Sequence, residues 1–189
     1  MHKKWVGIDF GAKNRRTTAY CWQENALLHV ELCPAKIDVD AWLYQEMIKA
    51  GVQAVFIDAP LSLPKIYFDP EDTQSTHHYR RADIELKAMS PLFLGGLTAR
   101  AIALASKLKK SQIACYETYP KAVRNQRFSG KERQEALVDL QKSASVQIEN
   151  ISSLSVHAQD SVFAWFAGYM YMQKQSLIFG RQEEGQIFL

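Results

Sequence analysis

The alternation of short apolar runs with longer helical patterns limits this sequence to one class of fold. Apolar runs predict strands at residues 5–10, 17–22, 26–32, 52–57 and 112–116. The spacing of apolar residues predicts helices at about 38–50, 79–88, 91–110, 121–150 and 157–174. The short turns between the first three strands favour antiparallel pairing, and helices separate the later strands. This order predicts an α/β protein with a sheet of mixed direction.

The length and composition fit a single globular domain over residues 1–189. The chain is 47% apolar and 23% charged, close to the averages for globular domains. There are 23 basic and 20 acidic residues, a net charge of +3. This balance is too mild to indicate a protein that coats nucleic acid through overall charge. Any contact with a polyanion is therefore expected to be local.

The sequence predicts neither a membrane span nor an oxidising compartment. The longest mostly apolar stretch near the C-terminus, residues 161–172, is shorter than the roughly 20 residues that a membrane-spanning helix needs. The basic start of the chain is interrupted by Asp9 before a signal-peptide core develops. The three cysteines are odd in number and form no C-x-x-C pair, so they predict no zinc site and no closed disulfide set. We therefore expect a cytoplasmic protein that does not insert into membranes.

Three predicted strands end in an acidic residue, namely Asp9, Asp58 and Glu117. Ligands bind beyond the carboxyl ends of parallel strands, where loops diverge from a rigid sheet. Two carboxylates about 4 Å apart repel by about 4 kcal/mol at an effective dielectric constant near 20, so such a pair shares a proton or binds a cation. Hard oxygen ligands without a nearby cysteine or histidine cluster favour Mg²⁺ or Mn²⁺.

Asp160 adds a fourth acid at the start of the apolar C-terminal helix, on the face that is expected to point inward. Each acid also has a purely structural interpretation. Asp9 and Asp58 could hydrogen-bond the turns that follow them, Asp160 could cap its helix, and Glu117 could bond backbone in a turn. The residues alone leave both interpretations open.

Several segments together resemble a known family. They are Gly7-Ile8-Asp9, Ile57-Asp58-Ala59-Pro60-Leu61, Arg81-Ala82-Asp83-Ile84-Glu85-Leu86, Glu117-Thr118-Tyr119-Pro120 and Asp160-Ser161. In order and spacing the sequence resembles the family of unknown function numbered 429, described as predicted nucleases with a ribonuclease H-like fold. The similarity extends from Gly7 to about Gly168. It implies a mixed five-stranded sheet in the order 3-2-1-4-5 with helices on both faces.

The resemblance also implies a site. Asp9 and Asp58 would be the central metal ligands, Asp160 would approach from the last helix, and Glu117 would lie at the rim, giving four catalytic acids. The cofactor would be Mg²⁺ or Mn²⁺, held for metal-dependent phosphodiester hydrolysis. The sequence departs from the family pattern at Ala82, where a cysteine is frequent, and at Ser161, where alanine is frequent. Neither departure removes a proposed ligand.

Basic side chains near the predicted strand ends could contact a phosphate backbone. The candidates are Arg15, Arg16, Arg80 and Arg81. His157, one helical turn before Asp160, could relay a proton or contact phosphate. The alternative for the arginines is an ordinary solvated surface, and Arg81 with Glu85 has the spacing of an i,i+4 helical ion pair.

The predicted partner is nucleic acid, with DNA and RNA both open and a homodimer possible. Two other functions compete with the nuclease. Residues 7–11, Gly-Ile-Asp-Phe-Gly, also resemble the first phosphate loop of actin-like ATPases and sugar kinases. Those phosphotransferases bind nucleotide between two such domains, whereas 189 residues supply one, and a second glycine-rich phosphate motif is missing. A non-catalytic binding module on the same fold is the third possibility.

Overall fold

A mixed β-sheet forms the centre of the computed structural model, which describes residues 4–13, 15–72, 76–129 and 131–189. Within these ranges the sheet has eight strands in the order β6-β3-β2-β1-β4-β5-β8-β7. The strands are β1 Trp5–Asp9, β2 Ala19–Glu24, β3 Leu27–Leu32, β4 Ala54–Asp58, β5 Ala114–Glu117, β6 Gln147–Ile148, β7 Ile178–Arg181 and β8 Gly185–Phe188.

The central five strands have the predicted order 3-2-1-4-5. Strands β1, β2 and β3 form an antiparallel meander. Strand β1 also pairs in parallel with β4, and β4 pairs in parallel with β5. Because β1, β4 and β5 run in the same direction, their carboxyl ends lie along one edge of the sheet. The predicted α/β fold and its strand order are confirmed.

The expected five strands are extended by three more. Strand β6 adds two residues beside β3, inside the segment predicted as helix 121–150. The hairpin of β7 and β8 adds the other edge, where β8 pairs in parallel with β5. Strands of two and four residues are too short to show a two-residue alternation above background, which explains why the sequence analysis missed them.

Helices connect the strands. They are α1 Val39–Lys49, α2 Arg81–Leu86, α3 Pro91–Leu94, α4 Gly96–Lys110, α5 Pro120–Arg127, α6 Arg133–Ala144 and α7 Val156–Met172. The helix predicted over 91–110 is divided at Gly95, whose φ of +49° lies outside the helical region. None of the helices among the described residues has the length and apolar character needed to cross a membrane.

The two faces of the sheet bury separate cores, so helices cover both sides as expected. One core contains Val6, Ile8, Val55 and Ile57 from the strands together with residues of α1 and α4. The other contains Phe56 with residues of α5, α6 and α7. Successive residues of a strand point to opposite faces, so residues 7 and 9 of β1 and residues 56 and 58 of β4 belong to the face covered by α7.

Helix α7 packs unusually close to β1 because Gly7 has no side chain. A Cβ atom at Gly7 would overlap the backbone N of Trp165 and the carbonyl O of Ser161. The helix begins after Ser155, whose side chain accepts a hydrogen bond from the backbone N–H of Ala158. The close approach therefore brings the first turns of α7 to the end of β1.

Candidate active site

Asp9 and Asp58 meet at the carboxyl ends of β1 and β4. They are direct partners in the parallel ladder between the two strands. Neighbouring strands lie about 4.8 Å apart, so the two carboxyl groups extend from adjacent positions on the face covered by α7. The prediction that the first and fourth strands place these two acids side by side is confirmed.

His157 lies against Asp9. Its Nδ1 is 2.7 Å from Asp9 Oδ2, although 148 residues separate the two in the sequence. The His157 side chain is 42% exposed, whereas that of Asp9 is 12% exposed. The imidazole therefore covers one carboxylate oxygen from the solvent side and can exchange a proton with it. A direct contact between His157 and a phosphate group stays a prediction.

Asp160 follows His157 by one helical turn and pairs with Arg133, the first residue of α6. Arg133 Nη1 lies 2.6 Å from Asp160 Oδ1, and Nη2 lies 3.3 Å from Oδ2. Arg133 is not one of the four arginines predicted to contact phosphate. Its only sequence signal is a basic residue at the start of a polar helix, which does not identify a partner 27 residues away.

The three aspartates act on one another electrostatically. Burial raises the pKa of Asp58 well above its ordinary value, and the negative charges of Asp9, Asp160 and Glu117 raise it further. Burial also raises the pKa of Asp9 to about 6, an increase that the hydrogen bond and charge of His157 oppose. Within the described ranges the carboxylate of Asp58 has no hydrogen-bond or ion-pair partner. These three acids therefore share one site, and Asp58 is its least compensated member.

Glu117 does not join them. It is the ladder partner of Ile57 instead of Asp58, so the alternation of side chains directs it to the opposite face of the sheet. Its oxygens accept hydrogen bonds from Arg80 at 2.6 and 2.7 Å, and from the backbone N–H of Leu61 at 2.8 Å. Burial raises the pKa of Glu117, and Arg80 opposes this increase. The geometry gives Glu117 a structural role, contrary to the expectation of a fourth catalytic acid.

Arg80 is likewise structural, which corrects its predicted contact with substrate. Its side chain is fully buried and donates to both oxygens of Asp83, at 2.6 and 3.0 Å, as well as to Glu117 and to Ser62 Oγ. A phosphate group has no access to a guanidinium enclosed in this way. The arginine neutralises two buried carboxylates that would otherwise be costly to bury.

The other three arginines predicted to contact phosphate are at the surface. Arg15 and Arg16 are exposed in the turn that follows β1, just beyond Asp9. Arg81 is 54% exposed on its side chain, and its Nε donates to Glu85 Oε1 at 2.7 Å, which confirms the alternative of an i,i+4 ion pair. Asn14, which precedes Arg15 in the sequence, lies outside the described residues.

The donor chemistry of the site fits a hard divalent cation, although no metal cage is preformed. Across the ranges that the structure describes, no three His, Cys, Asp or Glu side chains are already arranged around one point. Two of the three aspartates already have partners, because Arg133 pairs with Asp160 and His157 pairs with Asp9. Aspartate carboxylates are nevertheless the hard oxygen ligands that Mg²⁺ and Mn²⁺ prefer.

The fold belongs to the ribonuclease H-like class, with α/β layers around a 3-2-1-4-5 core. The chain is similar to Thermus thermophilus RuvC, solved in complex with a Holliday junction substrate, with a TM-score of 0.53 at 12% identity, covering 92% of this chain and 98% of RuvC. It is also similar to the yeast mitochondrial Holliday junction resolvase Ydc2, with a TM-score of 0.52 at 15% identity, covering 90% of this chain and 79% of that one. These similarities confirm the fold.

Sequence comparison does not assign the chain to a family. No family model matches the chain, and no curated protein matches it. The ribonuclease H-like fold implied by the resemblance to the family numbered 429 is confirmed by the solved structures. Membership of that family stays a prediction.

Proposed function

We propose that this protein is a divalent-metal-dependent nuclease that cleaves phosphodiester bonds in branched DNA. The observation that carries the proposal is the pairing of Asp9 with Asp58 on adjacent parallel strands. Asp160 is near enough for its negative charge to raise the pKa of both. The choice of branched DNA follows from the structural similarity to a Holliday junction resolvase and to RuvC, which was solved in complex with a Holliday junction substrate. Fold similarity alone does not determine chemistry, so the acids must be tested directly.

Asp9, Asp58 and Asp160 would hold the cation. When bound, a Mg²⁺ or Mn²⁺ ion supplies positive charge that polarises the scissile phosphate and lowers the pKa of a bound water. Among the described residues the Asp58 carboxylate has no hydrogen-bond or ion-pair partner, so both of its oxygens are available, and Asp9 has one oxygen that His157 does not contact.

His157 would serve the reaction as a proton carrier. Its Nδ1 is within hydrogen-bond distance of Asp9, and the rest of the ring reaches solvent. A histidine in this position can hold a proton next to the carboxylate and pass it to the departing oxygen or to solvent. Arg15 and Arg16, exposed just beyond the end of β1, would contact the phosphate backbone around the cleaved bond.

A cleavage assay tests the proposal. Purified protein is incubated with a labelled four-way DNA junction, a linear duplex of the same sequence or single-stranded RNA, in Mg²⁺, Mn²⁺ or EDTA. We expect junction cleavage that needs the metal and is lost in Asp58→Asn. The matched control is Asp139→Asn, which removes a carboxylate that pairs with Lys131 and Lys142 on the surface of α6. This control should cleave like the wild type.

Other outcomes would contradict the nuclease. Cleavage that persists in EDTA, or in Asp58→Asn, would remove the metal site from the mechanism. Junction binding without cleavage would favour a non-catalytic binding module. Phosphate transfer from ATP without cleavage would favour the phosphotransferase that residues 7–11 suggest.

A further inference from the structure

Arg133 pairs directly with one aspartate of the acid site. Its guanidinium faces the Asp160 carboxylate with both terminal nitrogens, at 2.6 and 3.3 Å. Its positive charge also lowers the pKa of Asp9 and of Asp58, opposing the effect of burial on each. One guanidinium thus compensates, by contact or by field, all three aspartates that would hold the cation.

The surroundings of Arg133 differ from those of an arginine fixed in the core. Arg80 is fully buried and is held by Asp83, Glu117 and Ser62. Arg133 is 30% exposed on its side chain, and Asp160 is its one hydrogen-bonding partner among the described residues. The Asp160 side chain is only 17% exposed, so the guanidinium can leave it at little cost only when another cation takes its place.

We propose that Arg133 is an exchangeable counter-cation: it neutralises the aspartate site while no divalent cation is bound, and it leaves Asp160 when one binds. The proposal rests on the proposed metal-dependent function and names a form of regulation of that same site. Arg133 is a positioning residue in this scheme, because it acts through Asp160.

Two consequences follow from the geometry. A guanidinium that faces both oxygens of Asp160 occupies one lone pair on each and places a positive charge beside them, so it competes with a metal ion for the same carboxylate. Once released, the guanidinium stays at the exposed side of the site and presents its planar fork of N–H donors, which suits a phosphate group. Metal binding would thereby prepare a contact for the DNA backbone.

Metal affinity in the absence of nucleic acid tests this exchange. Free Mn²⁺ is measured by electron paramagnetic resonance while the metal is titrated into the full-length chain. Arg133→Gln removes the charge, and we expect it to bind Mn²⁺ about tenfold more tightly than the wild type, equivalent to about 1.4 kcal/mol. Arg133→Lys retains a competing cation and should bind within about threefold of the wild type, a difference below about 1 kcal/mol.

The matched control is Lys142→Gln, which removes one positive charge from the same helix. Lys142 pairs with Asp139 at 3.3 Å and has no contact with the aspartate site within the described part of the chain. This variant should bind Mn²⁺ like the wild type. If it tightened binding as much as Arg133→Gln, the effect would come from net charge and the proposal would be wrong.

The outcomes separate this proposal from the proposed function. If the wild type binds Mn²⁺ and Arg133→Gln binds it equally or more weakly, Arg133 does not compete and the exchange is overturned while the metal site stands. If no variant binds Mn²⁺, the metal-dependent function fails and the exchange fails with it.

A second measurement is made on the wild-type protein, so its result does not depend on whether Arg133→Gln folds. The Nε–H signal of Arg133, identified by nuclear magnetic resonance through its loss in Arg133→Lys, should shift when Mg²⁺ is added. A signal that is unchanged at saturating Mg²⁺ would overturn the exchange.

Discussion

Removing the charge of Asp9 should stabilise the metal-free protein. Burial raises the pKa of this carboxyl group from its ordinary 3.8 to about 6, so the folded chain holds the proton more tightly than the unfolded chain does. Stability therefore falls as the pH rises from about 4 to about 6, and the full penalty is present above that range. Asp9→Asn removes this penalty, while its amide oxygen can still accept a hydrogen bond from His157 Nδ1.

The size of the effect follows from the two pKa values. They differ by about 2 pH units, and each unit corresponds to about 1.36 kcal/mol, so ionised Asp9 destabilises the fold by about 3 kcal/mol above pH 6. For a chain of this length each kcal/mol changes the melting temperature by about 2–4 °C. We therefore expect Asp9→Asn to raise the Tm by about 6–12 °C at pH 8 in EDTA. At pH 4 the difference should be close to zero.

Thermal unfolding followed by circular dichroism between pH 4 and pH 8 provides the measurement. The matched control is Asp38→Asn, because Asp38 is exposed and caps α1 by accepting from the backbone N–H groups of Asp40 and Ala41. Asparagine caps a helix about as well as aspartate, so this variant should not gain stability at pH 8. A Tm of Asp9→Asn equal to or below that of the wild type at pH 8 would refute the reasoning and favour a structural role for the carboxylate in its turn.

Two further predictions concern the framework of the site. Gly7→Ala should destabilise the protein by about 3 kcal/mol or more in urea unfolding, because the added methyl group would overlap the backbone of Trp165 and force α7 away from β1. A loss of stability below about 1 kcal/mol would show that the helix can move freely. Arg80→Met should destabilise the protein by about 3–5 kcal/mol at pH 7, because it leaves the carboxylates of Asp83 and Glu117 buried without a counter-charge. Wild-type stability in the same measurement would contradict the structural role assigned to Arg80.

The sequence was sufficient for the part of the site that depends on strand order. An apolar run that ends in an acid marks the end of a strand, and two such strands in parallel must place their acids at the same edge. That the strands of Asp9 and Asp58 are neighbours was implied by the family resemblance, and the structure confirms it. Asp160 could be added because it lies on the apolar helix that covers this sheet.

The pairing of charges could not be predicted in the same way. Glu117 also ends a strand, but its register differs by one residue from that of Asp58, and a shift of one residue reverses the face to which a side chain points. Arg80 has the sequence environment of a surface arginine, yet it is fully buried. The partners of Arg133 and His157 are 27 and 148 residues away, and such contacts depend on how the helices pack.

The C-terminal hairpin was missed for a related reason. Strands β7 and β8 have four residues each. They pair with each other, and only β8 pairs with β5 of the central sheet. The hairpin is held to the rest of the chain by polar contacts, among them the hydrogen bond of Ser62 Oγ to the carbonyl O of Glu184 at 2.6 Å. These contacts have no periodic signature in the sequence.

The position of a bound cation tests the central claim most directly. Crystals of the wild-type protein soaked in Mn²⁺ should show an anomalous difference peak bonded to the carboxylates of Asp9 and Asp58, with Asp160 turned away from Arg133 toward the ion. The same crystals of Asp58→Asn should lose that peak. Bound Mn²⁺ that lies only elsewhere on the molecule, or no peak at saturating Mn²⁺, would contradict the claim that these strand-end acids form a metal site.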